Sequence, residues 1–350
     1  MRTAFATLND ILNHGFDAVI DVRSPAEFAE DHVPGAINLP ALTNEERARV
    51  GTIYVQETPF KARKVGAALV ARNVAAHLEG TLKEMDGGWR PLVYCWRGGQ
   101  RSGSFASILT QIGWRAAVVE GGYQSYRNLV YDALYEGRLS HRLILLDGNT
   151  GTAKTDILHR LKSYGIQVLD LEGIANHRGS LLGAMASEQP SQKAFETAMA
   201  CAESRLDPKR PVIIEAESSK VGARIVPPSL WAAMKAAPRI EIDAPLDARA
   251  QYLANAYCDV SENPIALTRK LEFLRARRGD LVDRWITHLN AGAFEDLARA
   301  LMEDHYDPTY RSGRARNGAD VLHRFEAPNL TEAARADLAA QIAAWVETAS

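Results

Sequence analysis

Apolar runs alternate with stretches of helical periodicity along the first part of the chain. Residues 18–22, 91–94 and 116–120 are short apolar runs, each ending at a turn, a cysteine or a pair of glycines, which predicts three strands. From 102 to 113, apolar side chains recur at helical spacing, which predicts a helix. Strands that alternate with helices favour a parallel α/β sheet.

A second pattern of the same kind follows a helical connector at 123–141. Residues 142–147, 211–214 and 239–243 have the apolar character of strands, and the first of them runs into a turn rich in glycine and threonine. The alanine-rich stretch 331–348 predicts a final helix capped by its first threonine.

The chain of 350 residues is longer than one hydrophobic core usually serves, which favours two domains. We expect an α/β domain over 1–137, followed over 138–350 by a second parallel α/β domain that ends in a helical part. The net charge of −2 predicts no globally basic surface, so a nucleic-acid partner would have to bind local basic patches.

The three cysteines, Cys95, Cys201 and Cys258, are far apart and form no Cys-x-x-Cys pair. This spacing favours neither a disulfide framework nor a thiolate zinc site, and it is typical of a reducing cytosol. Cys201 lies in a helical pattern and is expected in the core, and Cys258 is also expected to be structural. Because no stretch has the pattern of a signal peptide or a membrane span, we expect a cytoplasmic protein with no membrane partner. From the spacing of the cysteines we also expect no structural metal.

Cys95 differs from the other two because it opens the run CWRGGQRSGS directly after a predicted strand. Two glycines let the loop curl with its N–H groups pointing inward, and two arginines and a helix N-terminus also favour an anion. We therefore expect an acidified, nucleophilic thiol, with a buried structural cysteine as the alternative. The residues expected around its sulfur are Arg97, Gly98, Gly99, Gln100, Arg101 and Ser102.

A second candidate for anion binding is the turn after residues 142–147. Its sequence GNTGTAKT fits the phosphate-loop pattern G-x-x-x-x-G-K-[ST], except that Ala153 replaces the last glycine. We expect an alanine there only with a negative φ, which puts nucleotide binding of the usual kind in question. The amides, Lys154 and a helix N-terminus still predict an anion cradle, with a plain turn and an exposed lysine as the alternative. The expected phosphate-binding residues are Gly148, Thr150, Gly151, Thr152, Lys154 and Thr155.

Two carboxylates, Glu215 and Glu217, end the strand pattern at 211–214. Each is a candidate to bind Mg²⁺, for which Thr155 would be another ligand, or to act as a general acid or base. A surface or capping role is equally open for each one separately.

Longer runs of the sequence resemble known families. DVRSPAEFAEDHVPGAINLP at 21–40, CWRGGQRS at 95–102 and VVEGGYQSYR at 118–127 resemble, in order, the three landmarks of a rhodanese domain. DLEGIANHRGSLLG at 170–183, IEAESSKVG at 214–222 and HYDPTYR at 305–311 resemble motifs of the bacterial tRNA 2-selenouridine synthases. The resemblance implies a rhodanese-like domain over 1–137 and a P-loop domain over 138–350.

This resemblance also implies a reaction. The substrate would be a tRNA for lysine, glutamate or glutamine with 2-thiouridine at the wobble position, and the product would carry 2-selenouridine. Selenophosphate, made by a partner enzyme, would supply selenium after geranyl diphosphate has converted the base to S-geranyl-2-thiouridine, with no requirement for ATP. Cys95 would handle selenium, either as a perselenide or as a thiol that expels the geranyl thiol, and the phosphate loop would hold the diphosphate.

Several basic residues are candidates for contact with tRNA or with phosphate. His177 and Arg178 lie in the run NHRGS, for which a plain surface loop is the alternative. The others lie in two clusters, for which an ordinary solvated helix face is equally open. These clusters comprise Arg275, Arg277 and Arg278 within 269–278, and Arg311, Arg314 and Arg316.

Two other functions stay open from the sequence. One is a rhodanese-type sulfurtransferase, in which Cys95 carries a persulfide and the P-loop domain hydrolyses a nucleotide. The other is a non-catalytic tRNA-binding module with degenerate loops. Ala153 supports the second alternative, and the intact cysteine loop argues against it.

Overall fold

The structure is a computed structural model that describes residues 1–136, 141–180, 182–257, 263–311 and 320–348. It separates into two compact units, and the chain enters the first unit twice. The first unit comprises Met1–Gly137 and Pro190–Ser204, and the second comprises Arg138–Gln189 and Arg205–Ser350.

The strands of the described residues are β1 (Arg2–Thr3), β2 (Ala18–Asp21), β3 (Ile37–Asn38), β4 (Pro91–Tyr94), β5 (Ala117–Val119), β6 (Leu143–Gly148), β7 (Gln167–Leu169), β8 (Val212–Glu215), β9 (Lys220–Val221), β10 (Arg224–Ile225), β11 (Arg239–Asp243) and β12 (Val321–Glu326).

The helices of the described residues are α1 (Leu8–Leu12), α2 (Pro25–Glu30), α3 (Asn44–Gln56), α4 (Pro59–Glu79), α5 (Gln100–Ile112), α6 (Gly122–Tyr131), α7 (Lys154–Ser163), α8 (Leu171–Ala175), α9 (Gln192–Glu203), α10 (Pro228–Ala236), α11 (Leu246–Ala256), α12 (Pro264–Glu272), α13 (Arg275–Arg278), α14 (Leu281–Asn290), α15 (Phe294–Leu301) and α16 (Glu332–Thr348). Two π-helical turns, Asp132–Glu136 and Met302–Tyr306, follow α6 and α15.

A parallel five-stranded sheet forms the centre of the first unit, in the order β1-β5-β4-β2-β3. β4 is buried throughout, and its Val93 packs with Phe105 and Leu109 of α5 in one apolar cluster. The strands predicted at 18–22, 91–94 and 116–120 are confirmed as β2, β4 and β5. The helix predicted at 102–113 is α5, which begins two residues earlier, at Gln100.

α9 belongs to the first unit, although its residues were expected in the second domain. Its Glu196 accepts a hydrogen bond from the Tyr135 hydroxyl at 2.8 Å and pairs with Arg127. Thr197 donates to the buried Asp31 at 3.0 Å. These contacts join residues 61 to 166 positions apart, and local periodicity carries no information on pairs so far apart.

The second unit also has a parallel five-stranded sheet, in the order β12-β11-β6-β8-β7. β6 has a strand on either side and every residue of it is buried, so the turn that follows begins at the centre of the sheet. The strands predicted at 142–147, 211–214 and 239–243 are confirmed as β6, β8 and β11.

The predicted final helix is α16, and the Thr331 hydroxyl accepts a hydrogen bond from the Ala334 amide, as a capping residue does. β12 was not predicted, because all but one of its residues are exposed or polar on an edge strand. No helix within the described residues is long and apolar enough to cross a membrane.

Candidate active site

Cys95 lies at the carboxyl end of β4, where the chain turns through a loop into α5. Its side chain is 4% exposed and packs into the apolar cluster of the first unit. The Ser102 hydroxyl, in the first turn of α5, donates a hydrogen bond to its sulfur over 3.2 Å. The sulfur therefore lies at the N-terminus of a helix, where amide groups favour a negative charge.

Opposing effects act on the Cys95 thiol, and their balance favours the thiolate. Burial disfavours the charged form, but hydrogen bonds from the side chain and backbone of Ser102, the charge of Arg101 and the backbone of Gly99 outweigh it. The pKa of Cys95 is lowered as a result. This is the behaviour of a reactive cysteine, whereas apolar burial alone would raise the pKa.

The first residues of α6 form hydrogen bonds with the cysteine loop. The Tyr123 amide donates to the Cys95 carbonyl over 2.8 Å, and the Gln124 amide donates to the Trp96 carbonyl over 3.0 Å. Gly122 has a φ of 62°, and a Cβ there would collide with the Cys95 carbonyl and the Gly98 nitrogen. Gly122 of the run VVEGGYQSYR thus permits the close approach of α6 to the loop.

The arginines of the loop differ in their contacts. Arg101 forms an ion pair with Glu27 of α2 at 2.7 Å, and this arginine overcomes the effect of burial to lower the pKa of Glu27 to about 2. Arg97 is exposed and donates to the Gln124 side chain over 3.2 Å. The charge of Arg101 contributes to the lowered pKa of the thiol.

The turn after β6 has the shape of a phosphate loop, and Ala153 occupies its glycine position with φ 60° and ψ 26°. The expectation of a negative φ at this position is wrong. A left-handed conformation costs an alanine about 1–2 kcal/mol. Its methyl group is buried in the apolar cluster that includes Ile157 and Ile242, and this burial offsets part of that cost.

Lys154 and Thr155 begin α7 and reach in different directions. The Lys154 ammonium donates to the Gly148 carbonyl over 2.7 Å and to the Asn149 carbonyl over 3.3 Å. The Thr155 hydroxyl donates to Glu172 over 2.5 Å. The lysine charge therefore lies over the loop, and the threonine connects the loop to a carboxylate.

Side chains of α11 contact the loop at Thr150 and Gly151. Arg249 donates to the Thr150 carbonyl over 3.1 Å and forms a buried ion pair with Asp307 at 2.9 Å. A Cβ on Gly151 would press against Arg249 and Leu253. The run HYDPTYR thus supplies a carboxylate that orients the arginine behind the loop.

Glu217 and Glu172 form a carboxylate pair next to this loop. Burial, and then the charge of Glu172, raises the pKa of Glu217 to about 8. Burial also raises the pKa of Glu172, against the hydrogen bond from Thr155 and the charge of Lys154. Gly179 packs directly on both carboxylates, where any side chain would collide with them.

Glu215, the other candidate at the end of β8, has a different environment. It is fully buried, and its carboxylate accepts a hydrogen bond from the Leu171 amide at 3.0 Å. Burial and the charges of Asp170 and Glu172 raise its pKa well above the usual value. Its position indicates that it fixes the start of α8, whereas Glu217 faces a cavity of the second unit.

A cavity of about 740 Å³ opens in front of the phosphate loop. Its lining includes the loop from Thr150 to Thr155, together with Glu172, Glu217 and Tyr310. His177 and Arg178 also line it, and the Arg178 guanidinium lies 4.7 Å from the centre of the Tyr257 ring. The three runs that resemble the selenouridine synthases all contribute side chains to this cavity.

The basic residues expected to contact tRNA lie mainly on α12 and α13. Arg275 is paired with Glu272 at 2.6 Å and Asp283 at 2.8 Å. Arg278 donates to His305 over 3.1 Å, whereas Arg277 is exposed. Of the second basic cluster, Arg311 is exposed, while Arg314 and Arg316, like Cys258, lie outside the described residues.

Cys201 lies in the core of the first unit, 6% exposed, as expected. No cluster of three or more histidine, cysteine or acidic side chains with a metal-binding arrangement occurs within the described ranges.

Several side chains of the site were missed from the sequence. Glu172 lies in a quoted run, but its role depends on contact with Thr155, which is 17 positions away. Arg249 reaches Asp307 over 58 positions, and Glu27, the partner of the predicted Arg101, lies 74 positions before it. The signal that could have identified these pairs is the acidic residue in each of the runs that resemble the known families. A buried Asp or Glu is rare unless a partner side chain pairs with it.

Comparison with known proteins identifies both parts of the chain. Residues 5–129 match the model of the rhodanese-like domain, and residues 141–274 match that of the tRNA 2-selenouridine synthase AAA domain. A tRNA 2-selenouridine synthase of Nitrosomonas europaea is 32% identical over 306 residues, which cover 82% of this chain and 77% of the relative.

Two further relatives carry the same name. The protein of Bdellovibrio bacteriovorus is 31% identical over 88% of this chain and 93% of its own length. That of Hahella chejuensis is 33% identical over 83% of this chain and 84% of its own length. Because these matches span both units, the chain belongs to the tRNA 2-selenouridine synthase family.

Proposed function

We propose that this protein replaces sulfur by selenium at C2 of wobble 2-thiouridine in the tRNAs for lysine, glutamate and glutamine. One observation carries the proposal: a single chain presents an acidified thiol at Cys95 and a phosphate loop that opens into a large cavity. The names of its relatives support the same reaction. An enzyme that makes selenophosphate supplies the selenium donor.

The first step is alkylation of the base by geranyl diphosphate. The thiocarbonyl sulfur attacks C1 of the geranyl group, the bond from that carbon to diphosphate breaks, and the N3 proton of the base is released. Sulfur then leaves in the next step as a neutral thiol rather than as sulfide. The step consumes no ATP, because geranyl diphosphate is already an activated alkyl donor whose diphosphate is a good leaving group.

The loop from Gly148 to Thr155 holds the diphosphate. Its amides and the N-terminus of α7 point at an anion, and Lys154 moves from the Gly148 carbonyl to a phosphate oxygen. These donors stabilise the charge that develops on diphosphate as it leaves. Mg²⁺ would be held by the Thr155 hydroxyl, a neighbouring carboxylate and the diphosphate itself, since Mg²⁺ is commonly bound through phosphates and one or two carboxylates.

The Glu172–Glu217 pair accepts the proton from N3. It lines the same cavity as Lys154, and the raised pKa of Glu217, about 8, lies near neutral pH, where a general base works best. The Thr155 hydroxyl orients Glu172. The fully buried Glu215 takes no part in the chemistry.

The second step exchanges the geranyl thiol for selenium. Selenium in selenophosphate is at the level of selenide, so its transfer to Cys95 as a perselenide would need a two-electron oxidant. A route by addition and elimination needs no oxidant. In this route the Cys95 thiolate attacks C2 of the base and expels geranyl thiol. Selenide, released from phosphorus by water, then attacks C2 and expels the thiolate. We therefore favour Cys95 as a nucleophile toward the base.

Mass spectrometry of nucleosides tests the proposal. Thiolated tRNA is incubated with the protein, geranyl diphosphate and selenophosphate, and both S-geranyl-2-thiouridine and 2-selenouridine are measured. Cys95→Ala is expected to abolish selenation and keep geranylation, and Lys154→Ala is expected to lower geranylation by about 10²-fold or more. Cys201→Ala, which removes a buried thiol of the same unit, is the matched control.

Equal selenation by the Cys95→Ala and wild-type proteins would refute the role of the thiol. Full geranylation by Lys154→Ala would refute the role of the loop. Rapid formation of thiocyanate from thiosulfate and cyanide, without selenation of tRNA, would instead identify a sulfurtransferase.

A further inference from the structure

A second, apolar pocket lies beside the phosphate loop in the second unit. Helices α11, α12 and α15 form most of its wall. Its apolar lining comprises Leu182, Leu253, Leu267, Phe294, Leu297 and Leu301. Leu253 also packs against Gly151 of the phosphate loop, whereas the other five have no role in the chemistry proposed above.

The apolar pocket adjoins the large cavity. Five residues line both: Thr150, Ser180, Leu253, Tyr257 and Tyr306. Thr150 belongs to the phosphate loop itself, so a molecule whose phosphates occupy the loop can extend toward the apolar pocket. Such a molecule has an anionic head and a hydrocarbon tail, whereas a nucleotide has a polar ribose and base after its phosphates.

We propose that this apolar pocket binds the distal end of the prenyl chain and limits its length. The inference rests on the proposed function, because it places the tail of the same donor. The pocket has a volume of about 70 Å³. A water needs about 10–15 Å³ of such a space, so about five to seven water-sized groups fit, a size comparable with one five-carbon isoprene unit.

The size of the pocket sets the expected specificity. The terminal isoprene unit of a ten-carbon chain fills it, and the unit next to the diphosphate lies in the large cavity. A five-carbon chain leaves the pocket unfilled, and a fifteen-carbon chain exceeds it. Each missing or excess group in an apolar pocket is worth about 10-fold or more in kcat/KM, so the ten-carbon donor is preferred.

Two substitutions change the pocket in opposite directions. Ala298 of α15 lines it with a small side chain, and Ala298→Phe fills it. Phe294→Ala enlarges it. Ala344→Phe, on an exposed face of α16, introduces the same side chain away from the cavity and is the control.

The measurement is kcat/KM for S-prenylation of thiolated tRNA with dimethylallyl, geranyl and farnesyl diphosphates. Ala298→Phe is expected to lower the ratio of geranyl to dimethylallyl activity by at least about 10-fold, and Phe294→Ala to raise farnesyl relative to geranyl activity by a similar factor. Inhibition by inorganic diphosphate, which has no tail, is expected to be unchanged in both variants.

Unchanged chain-length ratios in both variants, with wild-type inhibition by diphosphate, would overturn the inference and leave the proposed function standing. Absence of prenylation by the wild-type protein with all three donors would instead overturn the proposed function. Loss of diphosphate inhibition in Ala298→Phe would show that this variant does not fold. Phe294→Ala then tests the inference by itself, because an enlarged pocket is expected to accept the longer farnesyl chain and an unchanged chain-length ratio would overturn the inference.

Discussion

Ala153 shows how a single residue can hold an unfavourable backbone conformation when its side chain is buried. With φ at 60°, it replaces the glycine that the loop pattern specifies, and its methyl group is 5% exposed in a core cluster. The loop geometry depends on the positive φ and therefore excludes branched side chains more strictly than it excludes alanine.

We expect Ala153→Val to lower the free energy of unfolding by about 2 kcal/mol or more, since a β-branched residue in the left-handed region is strongly strained. Ala153→Gly should change it by less than about 1 kcal/mol, because relief of strain is offset by lost methyl burial and by greater chain entropy of the unfolded state. Urea unfolding followed by circular dichroism measures both. Equal stability of the two variants would contradict the conformation assigned to this residue.

Glu217 gives the second unit a dependence on pH. Its pKa of about 8 lies above the usual 4.5, so the folded protein binds its proton more tightly than the unfolded chain does. The resulting stabilisation is complete below pH 4.5 and is lost as the pH rises through 8. Glu172 repels the charged form, and Lys154 partly compensates.

From pH 5 to 8.5, the free energy of unfolding of the wild-type protein should therefore fall relative to that of Glu217→Gln. Denaturant titrations at several pH values measure this difference, and the exposed Glu347→Gln is the control. Parallel pH profiles for Glu217→Gln and the wild-type protein would show that the carboxyl group ionises normally.

At the scale of elements, the cysteine loop depends on two helices that come after it in the chain. α5 supplies the Ser102 hydroxyl, and α6 supplies two amides that hold the carbonyls of Cys95 and Trp96. The close approach of α6 requires the absence of a side chain at Gly122. The loop sequence alone is therefore insufficient to shape the site.

Gly122→Ala is expected to displace the loop, raise the pKa of the Cys95 thiol and lower selenation by at least about 10-fold, because both a collision and a positive φ oppose the new methyl group. Gly35→Ala is the matched control, with φ 77° and no atom near the added methyl group. The rate of thiol alkylation as a function of pH reports the thiol pKa. Wild-type alkylation in Gly122→Ala would argue against support of the loop by α6.

At the scale of the whole molecule, α9 makes the first unit discontinuous in sequence. The segment leaves the second unit, packs on α6 and the following π-helical turn, and returns. Its Glu196 is 4% exposed and pairs with Arg127. A protein made of residues 1–137 alone would lack this partner for Arg127.

Glu196→Ala should lower the free energy of unfolding of the first unit by about 3 kcal/mol, because it leaves a largely buried arginine unpaired. Lys193 lies on the same helix as Glu196 and forms an exposed ion pair with Glu30 of α2. Lys193→Ala, which removes that pair, should lower the free energy of unfolding by no more than about 1 kcal/mol. Thermal unfolding measures both, and limited proteolysis reports release of α9. Equal effects of the two substitutions would indicate that the pair does not hold the helix.

The sequence by itself determined the strands that form the sheet centres, the places of the two loops that follow β4 and β6, and the resemblance to a known family. Those features are local: apolar runs predict buried strands such as β4 and β6, and the spacing of glycine, arginine and lysine predicts the loops that follow them. The edge strand β12 was not predicted from the sequence, because it buries little surface and so lacks an apolar pattern.

Only the tertiary structure decided which distant groups meet. It placed Glu172 against Thr155, Arg249 against Asp307, and α9 on the first unit. It also decided the positive φ of Ala153 and the burial of its methyl group in the core. Such pairings depend on how sheets and helices pack over tens of residues, and the periodicity of a single element carries no record of its neighbours.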